Sequence, residues 1–393
     1  MKYKILFTLT HALNPNAGGV QRTTYKLGKK FTEMGHQVSY YATESEGNID
    51  SGFGKLYYSP KKGNVNNPLN LEHFKEVLID VQPDFVINQM PYEVKLSKFL
   101  SMNKDSLNYI LLGCLRNSLF SAKNNIRDTY KRVLPSFIFN IFLDNKLGIN
   151  VLHRLHKIKH GKQLRQILDL HDKYILLAPP NKKELDYFVG NYKKDKVEVV
   201  PNSIPKVYFE KFKKENILLY VGTLNISQKR ADLLIELWSK IYKELQDWKF
   251  IILGEGSYKS EMEQIIKKDN LPRIELLGNQ KPEEWYKKAP IFIKTSAFEG
   301  FPNVILEAQS YGCVPVTFTS YDAISWIVND KKDAILIEPF NTDRMANEVI
   351  KLANNGYEVD TMSENAKQNI SRFVIDEVAD EWMNLFNSLQ NDK

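Results

Sequence analysis

Cysteine is nearly missing from this sequence. Cys114 and Cys313 are the only two in 393 residues, far apart and each in apolar surroundings. That excludes a disulfide framework and any cysteine metal spacing, and it predicts two buried free thiols in a reducing compartment. No run approaches the roughly 20 apolar residues that a membrane-crossing helix needs. The opening stretch, MKYKILFTLTHALNPNAGG, has an apolar part of only Ile5 to Leu9, shorter than a secretory core, and no small-residue cleavage site follows. It reads as a first buried strand, so the chain is expected in the cytoplasm or on the inner face of a membrane. GxSxG, HExxH and the Walker A spacing are absent too, which removes three common hydrolytic and phosphate-binding chemistries.

What is present is an ordinary soluble composition, 43% apolar and 26% charged, over a length that fits two domains rather than one core. The net charge of +7 is too diffuse to imply nucleic acid, but it suits a phosphate-bearing substrate or an anionic membrane surface.

Strand and helix patterns alternate twice. The first half starts with a strand from Tyr3 to Leu9, a loop ending in Gly18-Gly19, a helix from about Gln21 to Met34 and a strand from Gln37 to Ala42. Further strands are expected at Phe85–Asn88, Tyr109–Cys114, Tyr174–Ala178 and Val197–Val200. Pro201 to Lys214 reads as a linker. Strands at Ile217–Val221, Lys249–Leu253 and Ile274–Leu277 then alternate with helices, and a last amphipathic helix covers Ile375 to Leu389. The fold class is α/β, two Rossmann-like doubly wound domains facing across a cleft. The expected divisions are 1–203 for an acceptor-side domain, 204–370 for a donor domain and 371–393 for a helix packing back on the first domain.

An interruption at about 118–170 carries the apolar patch Phe137 to Leu143 among many cations, including Lys123, Arg127, Lys131, Arg132, Lys146, Arg154, Lys157 and Lys162. It reads either as an interfacial membrane helix or as a solvated helical insertion packed on the sheet.

The stretch IFIKTSAFEGFPNVILEAQSYGCVPVTF, Ile291 to Phe318, combines a short buried strand, a loop, a helix from Asn303 closed by Gly312, and a second strand. Pro302 suits a first helical position and Gly312 a left-handed helix end. The loop lies at the carboxyl end of its strand, where open α/β sheets bind ligands, and free amides at a helix start favour an anion. Yet Glu299 and Glu307 are both here. Carboxylates beside an anion site make sense when they accept hydrogen bonds from neutral hydroxyls next to it, as on a sugar attached to a phosphate.

Other candidates follow strands in the same way. Gly222 and Thr223 open GTLNISQKR, whose Lys229 and Arg230 stand at a helix start, where cations are disfavoured unless an anion is bound. Gly254-Glu255-Gly256 and Gly18-Gly19 are glycine turns that let a backbone approach a phosphate. His36 reads as closing a helix-to-strand turn.

With these residues in view, the chain resembles the retaining glycosyltransferases of the GT-B fold, family 4, most densely from Ile217 to Phe318. That family's Glu-x7-Glu signature fits Glu299 and Glu307. The resemblance implies that Glu299 contacts donor-sugar hydroxyls and Glu307 the ribose, and that amides near Gly300, Phe301, Pro302, Asn303 and Val304 hold the sugar and diphosphate. It matches Lys229 to a diphosphate lysine and Gly18-Gly19 to a phosphate-admitting loop. Two departures stand out. Thr223 occupies a position where the family often has arginine, with Arg230 as a substitute, and Arg116 stands where the family often has histidine. Arginine stays protonated, so Arg116 is no acid or base, and the resemblance leaves it as an expected contact for the diphosphate or the acceptor.

The leading expectation is a metal-independent hexosyltransferase without a cofactor, using a nucleoside-diphosphate sugar as donor and a glycan or lipid-linked acceptor, with retention, in cell-surface polysaccharide synthesis. Its catalytic group would be Glu299, Lys229 and Arg116. A sugar-nucleotide epimerase of the same architecture and an inactive membrane-associated sugar-nucleotide-binding module remain as alternatives.

Overall fold

The computed structural model describes residues 1–11, 13–14, 18–44, 54–62, 64, 67–134, 139 and 143–391, the side chains at 128, 132 and 133 excepted. The chain divides into two compact units. One comprises Met1–Leu119, Leu134–Pro205 and Ile375–Lys393, the other Phe120–Val133 and Lys206–Val374.

The first unit holds β1 (Lys4–His11), β2 (Gln37–Glu44), β3 (Lys55–Tyr58), β4 (Phe85–Asn88), β5 (Ile110–Cys114), β6 (Lys173–Leu176) and β7 (Val197–Val199). They form one sheet in the order β3-β2-β1-β4-β5-β6-β7, parallel throughout. Near-continuous apolar runs such as Phe85–Ile87 and Ile110–Leu112 are what strands covered on both faces require. On one face Phe31 and Phe7 pack with the final helix, Ile375–Asn391. Its Phe386 stacks on Phe85 at 4.1 Å between ring centroids. Phe74, Leu78, Leu96 and Leu100 cover the other face.

Thr8, Asn88 and His171 form a paired polar group inside this sheet. Thr8 donates to Asn88 Oδ1 at 3.0 Å, while Asn88 Nδ2 lies 3.1 Å from His171 Nε2. His171 Nδ1 faces the Ile167 carbonyl at 2.7 Å, so Nδ1 carries the proton and Nε2 accepts. Burial holds this imidazole down at about 4, and it is neutral near pH 7. His36 accepts the Tyr3 amide at 3.0 Å, tying a helix-to-strand turn to β1.

The second unit holds β8 (Ile217–Val221), β9 (Lys249–Leu253), β10 (Ile274–Gly278), β11 (Ile291–Lys294), β12 (Val314–Phe318) and β13 (Ile335–Ile337). The order is β10-β9-β8-β11-β12-β13, again parallel. Successive strands build outward from β8 on one side and from β11 on the other. The loops leaving these two neighbours therefore diverge and open a crevice at their carboxyl ends, the place where ligands bind in such sheets. Trp238 is buried beneath, with Nε1 donating to the Pro272 carbonyl at 2.8 Å.

Two strands were not legible in the sequence. Lys55–Tyr58 is an edge strand with no fully buried residue, and Ile335–Ile337 is only three residues long. The first helix begins at Gly19 rather than Gln21, with Gly18 as its cap. Pro302 caps the helix Asn303–Ser310 instead of starting it, while Gly312 is left-handed at φ +75°. Phe120–Val133 groups with the second unit and not with the rest of the insertion.

That insertion is helical at Ser121–Asn124, Ile126–Val133 and Lys146–Leu170. Of the apolar patch 137–143, only Phe139 and Leu143 lie within the described residues, and Phe139 is fully buried. The 25-residue helix buries Leu152, Leu164, Ile167 and Leu168 yet exposes Leu147, Val151, Leu155 and Ile158. Among the described residues, no helix is long and apolar enough to cross a membrane. Cys114 and Cys313 are both buried and free.

Candidate active site

The loops after β8 and β11 meet at the crevice of the second unit. Asn225 shapes the first of them: its Oδ1 accepts the amides of Gln228 at 2.9 Å and Lys229 at 3.1 Å. The two loops are then laced together. Ala297 N donates to the Gln228 carbonyl at 2.7 Å and Thr295 Oγ1 to the Lys229 carbonyl at 2.8 Å. Phe301 anchors the second loop by packing edge-on against Trp326 and Phe373.

This lacing brings Lys229 Nζ to 2.7 Å from Glu299 Oε1. Ser296 Oγ donates to the same oxygen at 2.8 Å, and Lys294 Nζ also stands 2.8 Å from it. Burial alone would raise the Glu299 carboxyl, yet Lys294 and Lys229 hold it down at about 2. Burial pulls the Lys294 ammonium down to about 8 against the attraction of Glu299. Near pH 7 Glu299 and Lys294 are therefore both charged. Three donors saturate Oε1, and among the described residues Oε2 takes no hydrogen bond.

Beside this oxygen the chain offers unused amides. Among the described residues, the N–H groups of Gly300, Phe301 and Val304 have no protein acceptor, whereas Asn303 N donates to the Phe301 carbonyl at 3.0 Å. Helix Asn303–Ser310 has no side-chain cap, so no side chain offsets the positive end of its dipole there. Glu307 is half-buried, one turn inside that helix.

The other candidates are placed differently. Arg230 is left-handed at φ +48° and precedes a helix that starts at Asp232. Its guanidinium grips Asp232 at 2.7 Å and lies over the Phe340 ring at 4.8 Å. The anion that makes a cation tolerable at this helix start is thus the chain's own Asp232. Gly222 and Gly254 are spent on packing: Gly222 N donates to the Leu253 carbonyl and Gly254 N to the Gly278 carbonyl, at 3.0 and 2.8 Å. Thr223 is exposed between them and the Asn225 turn. A hollow of about 560 Å3 touches Arg230, Ala297, Ser320, Phe340, Ser227 and Asn124.

In the first unit, Gly18 and Gly19 are exposed at the start of the helix after β1. Arg116 follows β5, with its Nε on Gln89 and one terminal nitrogen 3.1 Å from Asn202 Oδ1. Burial lowers its guanidinium from the ordinary value. Among the described residues no cluster of His, Cys, Asp or Glu is gathered as a metal site requires.

Sequence reasoning missed Lys294. The signal was there, since a lysine ending the fully buried strand Ile291–Lys294 must find a carboxylate. Ser296 and Asn225 were missed although each acts within its own loop, Ser296 on Glu299 three residues on and Asn225 on the amides of Gln228 and Lys229.

The doubly wound pair of parallel sheets is the GT-B glycosyltransferase fold. Pneumococcal O-GlcNAc transferase GtfA, solved with UDP and GlcNAc, superposes with a TM-score of 0.73 over 99% of each chain at 12% identity. Residues 206–369 match the family Glycosyl transferases group 1. The chain is 26% identical over 337 residues to the amylovoran biosynthesis glycosyltransferase AmsD of Erwinia amylovora, covering 84% of both chains. It is 30% identical over 277 residues to the N-acetylgalactosamine-N,N'-diacetylbacillosaminyl-diphospho-undecaprenol 4-alpha-N-acetylgalactosaminyltransferase of Campylobacter jejuni, covering 68% of this chain and 66% of that one. By fold and by these likenesses the chain is similar to the GT-B glycosyltransferases.

Proposed function

We propose that the chain transfers a hexose or N-acetylhexosamine from a nucleoside diphosphate to a glycan or lipid-linked acceptor, with retention of configuration, in cell-surface polysaccharide synthesis. The observation that carries this reading is Glu299. One of its oxygens is saturated by Lys229, Lys294 and Ser296, and among the described residues the other takes no hydrogen bond and the neighbouring amides at a helix start have no acceptor. A sugar hydroxyl fits the free oxygen, and a diphosphate fits the amides. The relatives named for amylovoran biosynthesis and for a diphospho-undecaprenol acceptor support the acceptor class. The neighbour solved with UDP supports a nucleoside-diphosphate donor.

In this reading Glu299 orients the donor sugar and Glu307 the ribose. Lys229 and the amides of Gly300 to Val304 stabilise the charge that develops on the departing diphosphate, and the acceptor hydroxyl attacks on the face the diphosphate leaves. For Arg116, Gly18 and Gly19 the proposed role is contact with diphosphate or acceptor. Because fixed cations and dipoles supply the charge, a chelator should leave the rate unchanged. The exposed stripe Leu147, Val151, Leu155 and Ile158, with Arg154, Lys157 and Lys162 beside it, is the surface we assign to an anionic membrane.

The test is incubation with a panel of nucleotide sugars. Slow release of free nucleoside diphosphate, abolished in Glu299→Ala, supports a transferase. An isomerised sugar would show an epimerase, binding without turnover an inactive module, and normal turnover by Glu299→Ala would sink the assignment.

A further inference from the structure

Lys229 cannot serve two anions equally. In this structure its ammonium is committed to Glu299 at 2.7 Å, whereas the donor reading needs it at the diphosphate. If it were the sole counter-charge, turning away would strand a buried carboxylate, which is costly. Lys294 resolves the conflict. It ends β11, its side chain is 1% exposed, and Nζ stands 2.8 Å from the same Oε1. Beneath it lies the Tyr220 ring, 5.9 Å from Nζ to centroid. No other carboxylate is within ion-pair distance of Lys294 among the described residues. The titratable groups facing Glu299 are these two lysines and, more remotely, the phenols of Tyr220 and Tyr321.

We infer that Lys294 is a positioning residue for the transfer. It holds Glu299 Oε1 from within the sheet, so that the carboxylate stays charged and aimed while Lys229 turns to the donor diphosphate. The inference rests on the donor-site reading above. Lys294 touches neither sugar nor phosphate, and its effect is exerted through Glu299. A lysine buried at this depth has no packing advantage over methionine, so its charge is the reason for its presence.

The experiment compares Lys294→Met, Lys294→Arg and Glu299→Gln with the wild type. The readouts are the pH profile of kcat/KM for nucleoside diphosphate release and the carboxyl carbon titration of Glu299 in glutamate-labelled protein, assigned by its loss in Glu299→Gln. In Lys294→Met, kcat/KM should fall at least about tenfold near pH 7, and the Glu299 titration should rise by about one pH unit or more. Lys294→Arg should keep the titration low. An unshifted titration in a folded Lys294→Met overturns the inference whether or not any donor is turned over. If Glu299→Gln is dead while Lys294→Met matches the wild type, this inference alone fails. If Glu299→Gln is as active as the wild type, the donor-site reading fails and the inference with it.

Discussion

Gly254 and Gly222 meet backbone to backbone: a Cβ on Gly254 would stand 1.9 Å from the Gly222 carbonyl oxygen. Gly254 is also at φ +140°, where side chains are strained. These glycines join the loops after β8 and β9, the first of which presents Lys229. Gly254→Ala should therefore cost about 2 kcal/mol or more of stability and weaken donor use by shifting that loop. Thermal unfolding with donor KM on the same preparation checks it. An unchanged melting point would show that the contact relaxes without cost.

Lys229→Met should leave the fold intact, because Glu299 keeps Lys294 and Ser296. Donor turnover should drop by about a hundredfold, the size seen when one charge-stabilising donor is removed. Steady-state release of nucleoside diphosphate measures it, and a loss confined to stability would make Lys229 a structural partner only.

Two groups predict acid sensitivity. Glu299 is held at about 2, below the ordinary 4.5, so the unfolded chain binds more protons than the native one between these values. Its contribution is present above about pH 4.5 and is lost as pH falls toward 2, by up to about 3 kcal/mol. His171 is held at about 4, below its ordinary 6.5, so the unfolded state again binds more protons in between. Stability falls as pH drops from 6.5 to 4, by a similar amount. Denaturant unfolding at pH 7, 5 and 4 should show the second loss in the wild type and a flatter profile in His171→Gln.

The exposed stripe gives a separate outcome. Ile158 is 70% and Leu155 54% exposed, so replacing both by glutamate should change stability within about 0.5 kcal/mol each. The same change should abolish sedimentation with anionic vesicles that the wild type shows at low salt. Equal sedimentation of the variant, or none by the wild type, would remove the membrane from the list of partners.

Much of this protein was determined by its sequence alone. Apolar runs of strand length, spaced by helical patterns, dictate two doubly wound parallel units, because periodicity is local and burial follows from it. Glu299, Glu307 and Lys229 were likewise readable as chemistry, since each sits in a loop or first turn after a buried strand. Only the tertiary structure decided how the charges pair. Lys229 and Lys294 converge on one oxygen of Glu299, Arg230 is neutralised by Asp232, and His171 is locked neutral behind Asn88. Phe120–Val133 joins the second unit although its chain neighbours belong to the first. Strand periodicity repeats every two residues and can be read from a short window. The partner of a buried charge depends on which loops the sheet order brings together, here across 70 residues of chain.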